Sequence, residues 1–212
     1  MKQARLVLCM ALFSLNHLVQ LPKIGTRKLI PFNFTELTHW DLGIKDRNKV
    51  DSDEPTGFVE GMEYPQLLPY VVIRYKNKIL NYSRAKGAEA RLHGTRSIGF
   101  GGHMDMATLP EDLAASLQTE CQREIQEEVG ITLSNFNFSH FIVDYTNSVG
   151  SVHLGILAIV DLTDEQYAAI NIDATEISDP EWTSLEHLEA AYGRYENWSQ
   201  MAIEHLTEKA YA

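Results

Sequence analysis

One run constrains this chain more than any other: Arg123-Glu124-Ile125-Gln126-Glu127-Glu128-Val129-Gly130-Ile131. The apolar positions recur at helical spacing, and a glycine closes the run. Read as the end of an α-helix, it sets Glu124, Glu127 and Glu128 at i, i+3 and i+4, on one face. Three like charges at that spacing repel and weaken an isolated helix. A cation held between them reverses that effect, and oxygen donors on a rigid element suit Mg²⁺ or Mn²⁺ better than zinc.

Wheel geometry puts Ala114, Cys121, Ile125 and Val129 on a core-facing side, with Leu117 at its margin. Glu120 projects with the carboxylates, one turn before Glu124. Pro110-Glu111-Asp112 reads as the first helical turn, where proline is tolerated and acids suit the dipole. Arg123 lies three residues after Glu120 and four before Glu127, so it can brace the acids without being a ligand. An acidic run by itself is most often a solvated face. Upstream, however, Ser97-Ile98-Gly99-Phe100-Gly101-Gly102-His103 is a short apolar stretch ending in a glycine pair. Such a pair permits a tight turn and close backbone approach to a ligand.

Gly102 followed by Arg123-Glu124-Ile125-x-Glu127-Glu128-x-Gly130-Ile131 resembles the Nudix box of the MutT-like hydrolases, G-x5-E-x7-R-E-U-x-E-E-x-G-U with U aliphatic. The second half matches at every fixed position. The first half departs. The family spacing from Gly102 puts the arginine at Ser116, seven residues before Arg123. Counting back from Arg123 gives Ala115 where the family has its first glutamate. Asp105, Glu111 and Glu120 are substitutes, and Glu120 is the one placed to support the arginine. A wider resemblance over residues 64–200 is to a bacterial Nudix subgroup of MutT-type phosphoesterases, which carries no substrate with it.

The resemblance implies an α/β fold, a Nudix-type α/β/α sandwich around a mixed β-sheet. It also implies metal-dependent hydrolysis, by water, of a nucleoside diphosphate linked to another moiety. The alternative is a Nudix-fold module that binds a nucleotide without cleaving it. The candidate catalytic residues are Glu127, Glu124 and Arg123, and the candidate ligands of Mg²⁺ (or Mn²⁺) are Glu124, Glu127 and Glu128. Gly101 and Gly102 would offer backbone contacts to substrate. Arg84, Lys86, Arg91 and Arg96 form a basic stretch in an acidic protein, and Arg91 with His93 is the preferred phosphate grip. Family members often draw a further carboxylate from a late loop, here Glu176. His153 is a further pocket candidate, although a lone histidine at a strand start is more often a core residue.

The 212 residues suffice for one domain, with an N-terminal extension of about residues 1–66 packed on a core of residues 67–212. A net charge of −11 argues against non-specific binding to nucleic acid or an anionic membrane. The partner expected is a small phosphate-containing molecule, a nucleotide; the oligomeric state stays open, a homodimer included. The two cysteines, Cys9 and Cys121, do not suggest a disulfide framework, which fits a reducing, cytoplasmic setting. Lys2 and Arg5 before Leu6–Phe13 imitate a signal peptide. That apolar run is far below the ~20 residues a spanning helix needs, and no small-x-small cleavage site follows. A strand near residues 5–10 and then a short helix is expected instead.

Tyr70–Tyr75 and Ile79–Arg84 flank Lys76-Asn77-Lys78 as a hairpin. Phe136–Tyr145 and Val152–Leu162 read as strands, the second central because it is almost entirely apolar. Residues 45–55 read as a polar loop anchored by Trp40 and Phe58, and residues 173–182 as another loop. Ser184–Tyr192 and Glu196–Ala210 read as closing helices, with Trp182 and Trp198 as packing anchors.

Overall fold

A computed structural model describes residues 6–10, 21–33, 42–50, 64–84, 94–175 and 177–211. The expected helix after residue 10, Trp40, residues 51–55, Phe58, Lys86, Arg91, His93 and Glu176 lie outside the described residues. In chain order the elements are β1 (Leu6–Met10), β2 (Arg27–Pro31), β3 (Leu42–Asp46), α1 (Arg47–Val50), β4 (Gln66–Tyr75), β5 (Lys78–Arg84), β6 (Arg96–Ser97) and β7 (Gly99–Phe100). Then follow α2 (Leu113–Val129), β8 (Phe138–Asp144), α3 (Ser148–Ser151), β9 (His153–Asp161), α4 (Asp164–Ala168), β10 (Ile177–Ser184), α5 (Leu185–Ala190) and α6 (Asn197–Tyr211), with a 3₁₀ turn at Tyr192–Arg194.

The fold is α/β on a mixed sheet of order β10-β5-β4-β9-β8-β2. The chain divides into two compact units. One comprises Met1–Pro69, Gly102–Leu117 and Ser139–Ile156, and the other Tyr70–Gly101, Gln118–Phe138 and Leu157–Ala212.

In the first unit, β1 pairs antiparallel with β3 across its whole length and meets β4 at Cys9–Gln66. Leu8 N donates to Met104 O (3.0 Å) and Met106 N to Leu6 O (3.1 Å), with Val7 opposite Asp105. The segment after the glycine pair thus begins as a short rung on β1. Val7, Cys9, Val50 and Val152 pack as an apolar cluster under Tyr64. The polar loop expected over residues 45–55 is corrected in its described part: Lys45 and Asp46 lie in β3, and Arg47–Val50 is a helical turn whose Val50 is buried. Burial of that single valine gives the turn an inward side that polar neighbours conceal in the sequence. β2 pairs antiparallel with β8, and Phe32 stacks on Phe141 with ring centroids 4.2 Å apart.

In the second unit, β4 and β5 form the expected hairpin, with Lys76 in the left-handed region at φ 55°. β5 also carries β10, which was expected as loop in its first half. Pro180 disguises this strand. The register shifts between Ser178 and Glu181, and Asp179 adopts φ 52°, so the proline sits in a bulge at the sheet's edge. Tyr75, Tyr167 and Trp182 form an aromatic cluster beside this edge.

Helix α2 buries Leu117, Cys121, Ile125 and Val129 completely. Its start is later than Pro110: Asp112 caps it, its carboxylate accepting from Ala115 N (3.1 Å). Gly130 ends it at φ 74°, where a Cβ would stand 2.4 Å from Asn171 O. Among the described residues no helix is long and apolar enough to cross a membrane.

Candidate active site

The acidic face of α2 is organised by one cation. Arg123 donates to Glu120 through Nε (3.3 Å) and Nη2, to Glu124 through Nη2, and to Glu127 through Nη1 (2.6 Å). Helical spacing alone brings these four residues together. Glu120 and Glu124 are 16% and 13% exposed, so the inner part of the cluster is largely shielded from water. Burial raises the Glu124 carboxyl above its ordinary pKa, opposed by Arg123 and reinforced by Glu120 and Glu127. The bond to Glu120 is the main cause holding Arg123 protonated. Burial, then Glu120 and Glu124, push the Cys121 thiol up, which leaves it unreactive. Glu128 turns partly inward, with a buried Oε2.

Among the described residues no three His, Cys, Asp or Glu side chains form a ready-made metal cage. The donor set nevertheless fits a hard divalent ion. It is all oxygen, it is negative beyond what one guanidinium can neutralise, and Glu124 and Glu127 already reach a common cation.

The end of α2 is tied to the segment before β10. Asn171 N donates to Val129 O (2.9 Å) and Asp173 N to Glu128 O (3.0 Å). The Asp173 carboxylate accepts from Thr175 N (2.8 Å) and Oγ1 (2.7 Å), which folds the turn tightly.

The glycine pair straddles the boundary between the units. Gly101, at φ 149°, closes one segment, and Gly102 opens the next. Within the second unit the approach to Gly101 is kinked at Ile98, between β6 and β7. Side chains bind the backbone groups there: Ile98 N donates to Ser199 Oγ (3.0 Å), Gly99 N to Ser97 Oγ (3.2 Å), and Gly99 O accepts from Tyr82 (2.8 Å). Sequence reasoning gave no role to Tyr70, Glu196 or Ser199, whose partners lie about a hundred residues away in the chain. No local pattern signals such a cluster.

Arg96 is not part of an open basic loop, and its grouping with the phosphate-gripping residues is corrected. It is 5% exposed, in β6, and donates to Asn81 (2.8 Å), Ser83 (3.1 Å) and Asp179 (2.8 Å), with Glu181 at 3.4 Å. Its charge is consumed in fastening β10 to β5.

His153 is buried in the first unit. Its Nδ1 donates to Val149 O (2.7 Å), which leaves Nε2 to accept from the Gln66 amide (3.3 Å). His103 meets the ring edge-on, with centroids 5.4 Å apart.

No family model matches the chain. Protein YmaB of Bacillus subtilis (strain 168) is 34% identical over 153 residues, covering 69% of this chain and 73% of that protein. Tm1382, provisionally described as a Nudix hydrolase, has a solved structure that superposes with a TM-score of 0.71 at 22% identity, covering 95% of this chain and 97% of that one. DR0079 of Deinococcus radiodurans superposes with a TM-score of 0.52 at 13% identity, covering 85% of this chain and 98% of that one.

Proposed function

The chain belongs to the family of Bacillus subtilis YmaB and has the Nudix fold, and from that premise we propose that it is a Nudix hydrolase that cleaves the pyrophosphate bond of a nucleoside diphosphate linked to another group. The observation that carries this reading is the cluster of Glu120, Arg123, Glu124 and Glu127, three carboxylates at fixed helical spacing around one cationic centre. Glu124, Glu127 and Glu128 are the residues that would hold Mg²⁺ or Mn²⁺. The ion would neutralise the diphosphate and make a bound water more acidic.

The chain's own groups have separable tasks. Arg123 keeps Glu120, Glu124 and Glu127 turned toward a common point. One carboxylate of the set accepts the attacking water's proton. Gly101 and Gly102, without side chains, let backbone amides approach the phosphate oxygens. The raised pKa of Glu124 reflects burial, and a divalent neighbour would favour its ionised form. Cys9 and Cys121 are both buried in the core, which supports a reducing, cytoplasmic setting.

The test is a hydrolysis screen over nucleoside triphosphates, dinucleoside polyphosphates, sugar nucleotides and dinucleotide cofactors, with Mg²⁺ and with Mn²⁺. Turnover that Glu127→Gln lowers on the order of 10²-fold or more is the expected result for a metal ligand. Nucleotide binding with no product release would favour the non-hydrolytic alternative. Near-normal kcat in Glu127→Gln would remove the acidic face from the mechanism.

A further inference from the structure

The kink before Gly101 has no counterpart in a regular strand. At Ile98 the run from Arg96 to Phe100 breaks into two short pieces, β6 on β5 and β7 on β4. A break of this kind strands backbone polar groups in the interior, where each unsatisfied one costs about 1–3 kcal/mol. Here they are met by buried side chains. Ser199 Oγ accepts from Ile98 N, Ser97 Oγ accepts from Gly99 N, and Tyr82 donates to Gly99 O.

Behind these contacts lies one carboxylate. Glu196, buried at the start of α6, accepts through Oε1 from Ser97 Oγ (2.6 Å), Tyr70 Oη (3.3 Å) and Ser199 Oγ (3.4 Å). Tyr70 Oη and Ser199 Oγ are themselves 2.7 Å apart. Burial first, and then Glu196, hold the Tyr70 hydroxyl protonated, so it remains a donor. The Tyr70 ring fills the space that a side chain at residue 99 would occupy: a Cβ there would lie 2.0 Å from the Tyr70 Cζ atom. Trp198 closes the ring's edge at a centroid distance of 5.6 Å. Glu196 N also donates to Arg96 O (3.0 Å), which pins the start of α6 to β6. The segment leading to Gly101 is therefore held from three elements: β4, β5 and α6.

We propose that Tyr70, Ser97, Glu196 and Ser199 are a buried positioning network that fixes the backbone of Ile98–Phe100 and thereby sets Gly101, at its end, to receive the diphosphate of the substrate. This rests on the hydrolase reading above. None of the four touches the reacting atoms; they act through the peptide groups they fix. Such an arrangement is polar throughout, where an apolar cluster would fill the same space, and directionality is what hydrogen bonds supply and apolar contacts do not.

Steady-state kinetics on the nucleotide that the wild-type protein hydrolyses fastest provides the test. Ser199→Ala should raise KM about tenfold with kcat little changed, less than the ~100-fold that a 1 Å misplacement can cost. Glu196→Gln retains an acceptor oxygen and should keep most of the affinity, whereas Glu196→Ala should not. Leu206→Ala is the control. It opens a cavity in the same helix, away from the network, and should lower the melting temperature without moving KM. Equal KM values for Ser199→Ala and Leu206→Ala would overturn the proposal. Absence of hydrolysis in the wild-type protein would instead refute the hydrolase reading. The network is then read by calorimetric titration with Mg²⁺-pyrophosphate: weaker binding in Ser199→Ala than in Leu206→Ala supports it, and equal binding, or none in the wild-type protein, overturns it.

Discussion

Arg123 Nη1 lies 2.6 Å from Glu127 Oε2, one helical turn along α2, while Nη2 of the same guanidinium serves Glu120 and Glu124. A single positive group thus joins these three acids, and its removal exposes their repulsion. Each exposed pair is worth about 0.2–1 kcal/mol, and the shielded ones lie at the upper end. Arg123→Ala should therefore cost on the order of 1–2 kcal/mol in chelator, a fall of roughly 2–8 °C in melting temperature for a chain of this size. Saturating Mn²⁺ should restore most of that loss, because the ion would take over the guanidinium's task. Thermal melts with and without Mn²⁺ measure it; an identical loss in both would separate the arginine from the ion's position.

Gly130 is fixed by two demands at once. Its φ of 74° is unfavourable for other residues, and Asn171 O occupies the place of a Cβ, 2.4 Å away. Asparagine tolerates the left-handed conformation but not the collision. Gly130→Ala and Gly130→Asn should both destabilise the protein by about 1–3 kcal/mol. Full stability in Gly130→Asn would mean that conformation alone matters. Because Asp173 N binds Glu128 O beside this turn, both variants should also weaken Mn²⁺ binding in a calorimetric titration.

The same turn illustrates what a sequence reveals. Gly130, the core stripe of α2 and the shared face of Glu120, Glu124 and Glu127 all follow from the 3.6-residue period. The β4–β5 hairpin and the central β9 were equally legible, from β-rich runs and continuous apolarity. Strand β10 was not, because Pro180 and the left-handed Asp179 signal a loop and only pairing with β5 makes it a strand. Arg96 read as surface charge because burial of an arginine depends on acceptors from Asn81, Ser83 and Asp179, which no local pattern announces. The network around Glu196 was invisible for the same reason: every contact that defines it to β4 or β6 spans most of the second unit's sequence.

His205 offers a dependence on pH away from the acidic face. Burial first, and then Lys209, depress its pKa below the ordinary 6.5, with Glu208 acting in opposition. Between the folded and unfolded values the unfolded chain binds more protons, so stability rises with pH across that window. The contribution is complete above pH 6.5 and is lost as pH falls through the folded pKa. His205→Gln should flatten the melting temperature between pH 7 and about pH 5 relative to the wild-type protein. Parallel curves for the two proteins would show that His205 is not perturbed by its surroundings.

Arg96 decides between structure and substrate. Its partners Asp179 and Glu181 are exposed, at 68% and 55%, so they regain water when the guanidinium is lost and leave no buried charge behind. The cost of Arg96→Ala is then that of the severed charged hydrogen bonds to Asn81 and Asp179, about 2–4 kcal/mol, rather than the larger penalty of an orphaned ion. The melting temperature should fall by several degrees while KM for the hydrolysed nucleotide stays within twofold. Lysine cannot reproduce the planar fork that reaches Asn81, Ser83 and Asp179 together, so Arg96→Lys should recover only part of the loss. A raised KM at unchanged melting temperature would return Arg96 to the phosphate-binding residues and contradict its role as the fastening of β10.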